Sequence, residues 1–147
     1  MRLALGFLFI FLSVPSEAKT LLTITCGEPV GSAYGQEAGQ IAQHPDRSSG
    51  ARPVFIIDSD RPKTLIIYWR GHQASAFPEK AEYAPITSAS VDKISAVHTE
   101  NEDSEMYSLF ARKNLMFMTS HSYVKEKGGI PVSSSLYASC DFVYTEK

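Results

Sequence analysis

The sequence predicts an all-β domain, a closed antiparallel barrel or sandwich of about eight strands with the first and last strands joined by a disulfide. Apolar residues alternate with a period of two through most of the second half of the chain, as they do in half-buried strands. The polar breaks between these runs are short, which permits antiparallel hairpins but not parallel crossovers. Two cysteines, Cys26 and Cys140, lie in the first and last predicted strands.

The N-terminus has the three-part pattern of a cleavable signal peptide. Arg2 supplies positive charge, Leu3–Leu12 is an apolar run, and the small residues Ser16 and Ala18 suit the shallow pockets of a signal peptidase. Cleavage is therefore expected after Ala18, and the mature protein is expected to be periplasmic or secreted. A retained membrane anchor is the alternative, but the apolar run is much shorter than the roughly 20 residues that cross a bilayer.

Residues 19–147 have the length of a single domain. The formal net charge of −2 lacks the basic excess that nucleic-acid-binding proteins show, so no nucleic acid partner is predicted. No segment of the mature chain is long and apolar enough to predict a membrane-spanning helix. The composition therefore predicts one exported β domain, with no cofactor.

The predicted strands follow the alternating segments in order. They lie near residues 20–26, 53–57, 64–70, 82–89, 92–99, 106–112, 115–123 and 135–144. Asp58–Pro62 is a turn-forming link between the second and third strands. Pro85 interrupts the fourth strand, which predicts an edge or a bulge there. The best helical candidate, Gln36–Gln43, is short and contains Gly39, so no helix is predicted.

The local pattern around each cysteine supports a bridge between them. Each cysteine shares the apolar face of its strand, which is formed by Leu22 and Ile24 in one case and by Leu136, Ala138, Phe142 and Tyr144 in the other. An oxidising compartment makes a disulfide the expected state, and two buried thiols are the alternative. No C-x-x-C pair is present, so the disulfide is predicted to be structural.

Residues 27–52 contain few apolar side chains and predict a long polar loop. Long loops without secondary structure are usually functional or disordered. We expect a mobile loop here, and a binding role is the alternative.

The residues that could carry chemistry form no recognisable catalytic pattern. His44, His72, His98 and His121 lack metal-ligand spacing, and His98 and His121 are predicted on strands about 10 Å apart. Acidic residues near positions 58–60 and 100–105 are predicted to be solvated turn charges, since neither group has the pattern of a calcium loop. No catalytic residue and no metal site is therefore predicted.

Aromatic residues are numerous for a chain of this length. In a closed β domain most of them are expected in the core. In a slightly open barrel they would instead line an apolar pocket. The candidate rim of that pocket is the end of the third strand, with Tyr68, Trp69, Arg70 and His72.

The chain resembles a group of small exported bacterial β-proteins with one disulfide. The resemblance lies in Cys26–Pro29, Tyr107–Phe110, Thr119–Ser122 and Tyr137–Cys140, and it implies no activity. A looser similarity is to the periplasmic inhibitors of C-type lysozyme, which are small antiparallel barrels with a Ser-Gly-x-x-Tyr motif. Here residues 49–52 read Ser-Gly-Ala-Arg, and Pro53 stands in the place of the tyrosine.

Three functional hypotheses follow. The first is a non-enzymatic periplasmic or secreted binding domain for an unknown ligand or protein partner. The second, implied by the looser similarity, is an inhibitor of a cell-wall lytic enzyme. The third is an enzyme that uses His98 or His121 with a nearby carboxylate.

Overall fold

The computed structural model describes residues 19–37, 40–47, 50–71, 81–124 and 130–145. These residues form ten strands and one 3₁₀ turn at Ala111–Lys113. The strands are β1 Thr20–Cys26, β2 Val30–Glu37, β3 Gln40–Arg47, β4 Arg52–Asp58, β5 Thr64–Arg70, β6 Glu82–Ala89, β7 Lys93–Glu100, β8 Asp103–Phe110, β9 Leu115–Val124 and β10 Ile130–Tyr144. The predicted signal peptide, residues 1–18, lies outside the described residues and stays a prediction.

Eight of the strands close into an antiparallel barrel. β1 pairs with β4, each strand from β4 to β9 pairs with the next, and β10 pairs with β1 to complete the circle. The all-β prediction is confirmed, and of its two alternatives the structure adopts the barrel. Each strand from β4 to β9 pairs with the next strand in the chain, so this part of the chain follows a simple meander up to β10.

The segment predicted as a polar loop, residues 27–52, is instead mostly a β-hairpin made of β2 and β3. This prediction was wrong because the hairpin is held by backbone pairing to β10, which requires no alternation of apolar side chains. Its strands contain small and polar residues and lie partly exposed. A side chain at Gly31 would place its Cβ 2.0 Å from the backbone oxygen of Ser135, so the absence of a side chain permits β2 to approach β10.

The last strand, β10, joins the hairpin to the barrel. It is 15 residues long, and its residues 130–139 pair with β9 along one edge. Along the other edge, residues 132–137 pair with β2 and residues 140–144 pair with β1. β1 and β2 therefore follow one another along the same strand, and the hairpin extends the sheet beyond the barrel.

Side chains fill the interior of the barrel. An eight-stranded barrel is just wide enough for this. Phe55 and Tyr107 are fully buried and pack edge to face, with their ring centroids 5.4 Å apart. The remaining buried residues around them include Leu22, Ile24, Leu65, Ile67, Ala84, Ala96, Leu109, Met116, Met118, Leu136 and Ala138.

The predicted disulfide is confirmed. Cys26 and Cys140 are direct register partners on β1 and β10, and a covalent bond joins them across 114 positions of sequence. Both are buried within the apolar core. The bond therefore joins β1 and β10, the two strands whose pairing closes the barrel.

The irregularity predicted at Pro85 is also present. β6 pairs with β5 as far as Pro85 and with β7 from Ile86 onward, and the register shifts between Ile86 and Ser88. Proline has no N–H to donate, so it suits a position where a strand changes its partner. The β6–β7 ladder is consequently absent beside residues 82–85.

Candidate functional site

The ionisable and hydrogen-bonding side chains described below lie at one end of the barrel. Because the strands alternate in direction, β1, β5, β7 and β9 end where β4, β6, β8 and β10 begin. The β2–β3 hairpin also leaves from this end. We refer to it as the barrel mouth.

Three of the four predicted rim residues, Tyr68, Trp69 and Arg70, lie at the barrel mouth but on two different faces of the sheet. Tyr68, Trp69 and Arg70 are consecutive on β5, so their side chains alternate between the faces of the sheet. Trp69 packs against the core, whereas Arg70 is exposed on the outer face. His72 lies outside the described residues. Trp69 therefore faces the opposite side of the sheet from Tyr68 and Arg70, and the pocket rim stays a prediction.

Two carboxylates line the inner side of the barrel mouth, each with a hydrogen-bond donor from the core. The indole Nε1 of Trp69 donates to Oε2 of Glu82 at 3.4 Å. The hydroxyl of Tyr107 donates to Oε2 of Glu105. We call these four residues the inner cluster.

His98 stands beside the inner cluster. It is the register partner of Glu105, its Nδ1 lies 3.3 Å from the backbone oxygen of Tyr83, and its Nε2 lies 4.0 Å from Oε2 of Glu100. The contact with Tyr83 joins β7 to β6 where their backbone ladder is absent. His121 is exposed on the outer face of the sheet, where its register partner is Ser104. The two histidines named as catalytic candidates are therefore separated.

Two members of the inner cluster, Glu82 and Tyr107, have shifted pKa values. Burial raises the pKa of the Glu82 carboxyl, and the nearby negative charge of Glu105 raises it further. The hydrogen bond from Trp69 and the proximity of His98 act in the opposite direction. Burial, followed by Glu105, raises the pKa of the Tyr107 hydroxyl far above its usual value. The pKa values of both Glu82 and Tyr107 are therefore raised, mainly because burial disfavours their charged forms.

A second feature of the barrel mouth lies on its outer face. Arg52 on β4 and Arg70 on β5 are direct register partners, and both side chains are exposed. They line an open cleft of about 500 Å³, together with Thr25, Cys26, Gly50, Val54 and Gly71. We call it the arginine cleft.

Two glycines shape the wall of the arginine cleft. Gly50 and Gly71 have φ angles of +81° and +144°, which residues other than glycine rarely adopt. A Cβ on Gly71 would lie 2.3 Å from the backbone oxygen of Gly50, so the two backbones can touch only because no side chain separates them. The amide of Gly50 donates to Oε1 of Glu28 at 3.0 Å, which fixes this wall to the segment after β1.

Sequence reasoning identified Arg70 but missed Arg52. Arg52 stood at the end of the predicted loop, one residue before the predicted second strand. Its relation to Arg70 depends on the register between β4 and β5, and alternation alone does not determine which residues pair. A signal was nevertheless present, since each arginine adjoins a strand end and a nearby glycine.

No family model, no curated protein and no solved structure is significantly similar to the chain. The resemblances drawn from its motifs therefore stay predictions. Within the described ranges, no helix has the length and apolar character needed to cross a membrane. Those same residues contain no group of three or more His, Cys, Asp or Glu side chains placed to hold a metal ion.

Proposed function

We propose that the protein is a non-enzymatic binding domain of the periplasm or extracellular space that holds its ligand in the arginine cleft. The observation that carries this proposal is the contrast between the two sides of the barrel wall. The interior is filled by side chains such as Phe55 and Tyr107, whereas the outer face of β4 and β5 carries a cleft with two exposed arginines. A ligand is therefore expected outside the barrel, at its mouth.

The scaffold around the cleft supports this role. β4 is hydrogen-bonded to β1 on one side and to β5 on the other, so three neighbouring strands of the closed barrel position the lining residues. Cys26 belongs both to the cleft lining and to the disulfide. A site on strands held in this way is formed before the ligand arrives, which reduces the entropy lost on binding.

Intact-mass spectrometry of the protein recovered from the cells that make it tests the proposal. Under native conditions we expect an additional bound mass that disappears in the double variant Arg52→Gln/Arg70→Gln. The matched control, Arg112→Gln, removes one exposed arginine at the opposite end of the barrel and should retain the bound mass. A ligand-free protein, or a ligand retained by the double variant, would contradict the proposal. The denatured mass separately tests cleavage after Ala18.

A second candidate function is inhibition of a cell-wall lytic enzyme. It is favoured by one observation: Gly50 and Arg52 come from the tetrapeptide that is similar to the lysozyme-inhibitor motif, and both line the arginine cleft. Glycoside hydrolases generally use two active-site carboxylates, to which exposed arginines are complementary in charge. Addition of equimolar protein should then block lysis of a bacterial suspension by a C-type lysozyme, and Arg52→Gln should lose this effect. Unchanged lysis with the intact protein would eliminate this candidate.

A further inference from the structure

The arginine cleft also indicates the chemistry of its ligand. Resting on the proposed function, we infer that the cleft binds a phosphate group, either as free inorganic phosphate or as part of a larger molecule. The arguments are the pairing of two arginines, the charges around them and the other groups that line the cleft.

Arg52 and Arg70 lie directly opposite each other on neighbouring antiparallel strands. Side chains in this relation have Cβ atoms about 5 Å apart, and like charges placed there repel each other. Neither guanidinium forms an ion pair with a carboxylate of the described residues, whereas Arg112 at the other end of the barrel pairs with Asp92. An anion between the two arginines would relieve their repulsion.

Phosphate matches this pair in both shape and charge. Arginine presents a planar fork of donors that bonds two oxygens of a phosphate at once. Two guanidinium groups can therefore bond several phosphate oxygens and balance the two negative charges of a phosphate monoester near neutral pH. A single carboxylate offers one charge and two oxygens, so it would leave one arginine unbalanced.

The rest of the cleft suits an oxyanion. Thr25 lines the cleft, and its hydroxyl can act as an uncharged donor. Val54, which is only 2% exposed, gives the cleft an apolar base, and hydrogen bonds beside apolar surface are stronger than those in bulk water. Gly50 and Gly71 contribute no side chain that would block approach to the arginines.

Glu28 is the acidic residue linked to this wall. Its carboxylate accepts the amide proton of Gly50. This negative charge weakens the positive field of the arginines, so we expect moderate affinity. Because both arginines are exposed, binding should weaken strongly as ionic strength rises. Glu28→Gln should therefore strengthen phosphate binding.

Nuclear magnetic resonance titration of the oxidised, ¹⁵N-labelled protein tests the inference. Inorganic phosphate is added at constant ionic strength, and the amide signals of Gly50 and Gly71 are followed. We expect saturable shifts at these glycines, and binding weaker by about tenfold or more in Arg52→Gln and in Arg70→Gln. Arg112→Gln is the matched control and should bind phosphate as the unaltered protein does. The absence of saturable shifts, or an equal loss in the control, would overturn the inference.

Two further probes distinguish the sources of the phosphate group. Glycerol 1-phosphate represents a soluble phosphomonoester, and phosphatidylcholine vesicles with and without phosphatidic acid represent a lipid surface. Binding that requires a phosphomonoester group and both arginines supports the inference in either case and identifies the source. A native mass spectrum with a bound, phosphate-free ligand and no response to phosphate would overturn the inference while the proposed function stands. A ligand-free spectrum with no response would overturn both.

Discussion

Trp69 and Glu82 connect β5 and β6 beyond the end of their backbone ladder. The last register pair of the two strands is Ile67 with Glu82, and Trp69 lies two residues further along β5. Its indole Nε1 reaches back to Oε2 of Glu82 at 3.4 Å. A side-chain hydrogen bond thus holds together a part of the barrel wall where backbone pairing has ended.

Replacement of Glu82 by glutamine should change how stability depends on pH. Because the pKa of Glu82 is raised in the folded protein above its ordinary value of 4.5, the folded state binds this proton more tightly than the unfolded chain does. The free energy of unfolding contributed by this group is therefore greatest at low pH and falls as the pH rises through the folded pKa. Glu82→Gln keeps an acceptor for Trp69 and cannot ionise, so it should be more stable than the unaltered protein at neutral pH. Denaturant unfolding at a series of pH values measures this difference.

The control for this experiment is Asp141→Asn, which neutralises an exposed carboxylate on β10. Its stability should follow that of the unaltered protein across the same pH range. The account is contradicted if Glu82→Gln is less stable than the unaltered protein at neutral pH, or if both variants show the same dependence of stability on pH. In either case, the burial of Glu82 does not determine how stability depends on pH.

Replacement of Tyr107 by phenylalanine should destabilise the fold. The Tyr107 ring is fully buried, and its hydroxyl donates to Oε2 of Glu105. The variant keeps the packing of the ring but leaves the Glu105 carboxylate without this donor. Hydrogen bonds to charged groups typically contribute about 1.5–3 kcal/mol, and we expect a loss of that order from the free energy of unfolding. Tyr137→Phe, which alters a half-exposed ring on β10, should change stability little. Equal effects of the two substitutions would contradict this account.

Removal of the Cys26–Cys140 disulfide should lower the free energy of unfolding, because this bond closes nearly the whole described chain into one loop. For a bond across 114 positions, the chain-entropy model gives a stabilisation of about 4–5 kcal/mol. Cys26→Ser/Cys140→Ser should therefore unfold at much lower denaturant concentration than the oxidised protein. The reduced form of the unaltered protein should unfold close to the double variant. A double variant as stable as the oxidised protein would show that the bond adds little to the closed barrel.

Two glycines of β2 provide a matched test of the hairpin. Gly31→Ala should separate β2 from β10, because its new Cβ would lie 2.0 Å from the backbone oxygen of Ser135. Gly35→Ala should be tolerated, since the nearest atom to its Cβ is a methyl carbon of Val132 at 3.7 Å. Hydrogen exchange should show lost amide protection in β2 and β3 for Gly31→Ala, with protection kept in β5, β7 and β8. Equal protection of the hairpin in both variants would contradict the close approach described for β2 and β10.

Much of the barrel could be predicted from the sequence because its strands bury one face. Alternation of the kind found in β7 and β8 identifies strands with an apolar inner side and a mixed outer side. The same reasoning failed for β2 and β3. Gly31 lets β2 lie close to β10 because it has no side chain. A strand of small and polar residues such as β2 leaves no hydrophobic period to detect.

The candidate site was less predictable, because it depends on pairing across the sheet. Trp69 and Arg70 are neighbours in sequence but contribute to two different places, the inner cluster and the arginine cleft. Arg52 belongs with Arg70 through the β4–β5 register, which no local pattern specifies. The inner cluster likewise arises from β5, β6 and β8, so its raised pKa values are properties of the closed barrel.

The position of β10 in the chain has a consequence for the timing of folding. This strand is synthesised after the other nine, yet it pairs with β1, β2 and β9. Until it is available, β1 and β9 remain as exposed sheet edges and the hairpin has no barrel strand to pair with, a state that favours aggregation. A chain interrupted before Ile130 would therefore be expected to accumulate as an aggregate even though most of its core residues have been made.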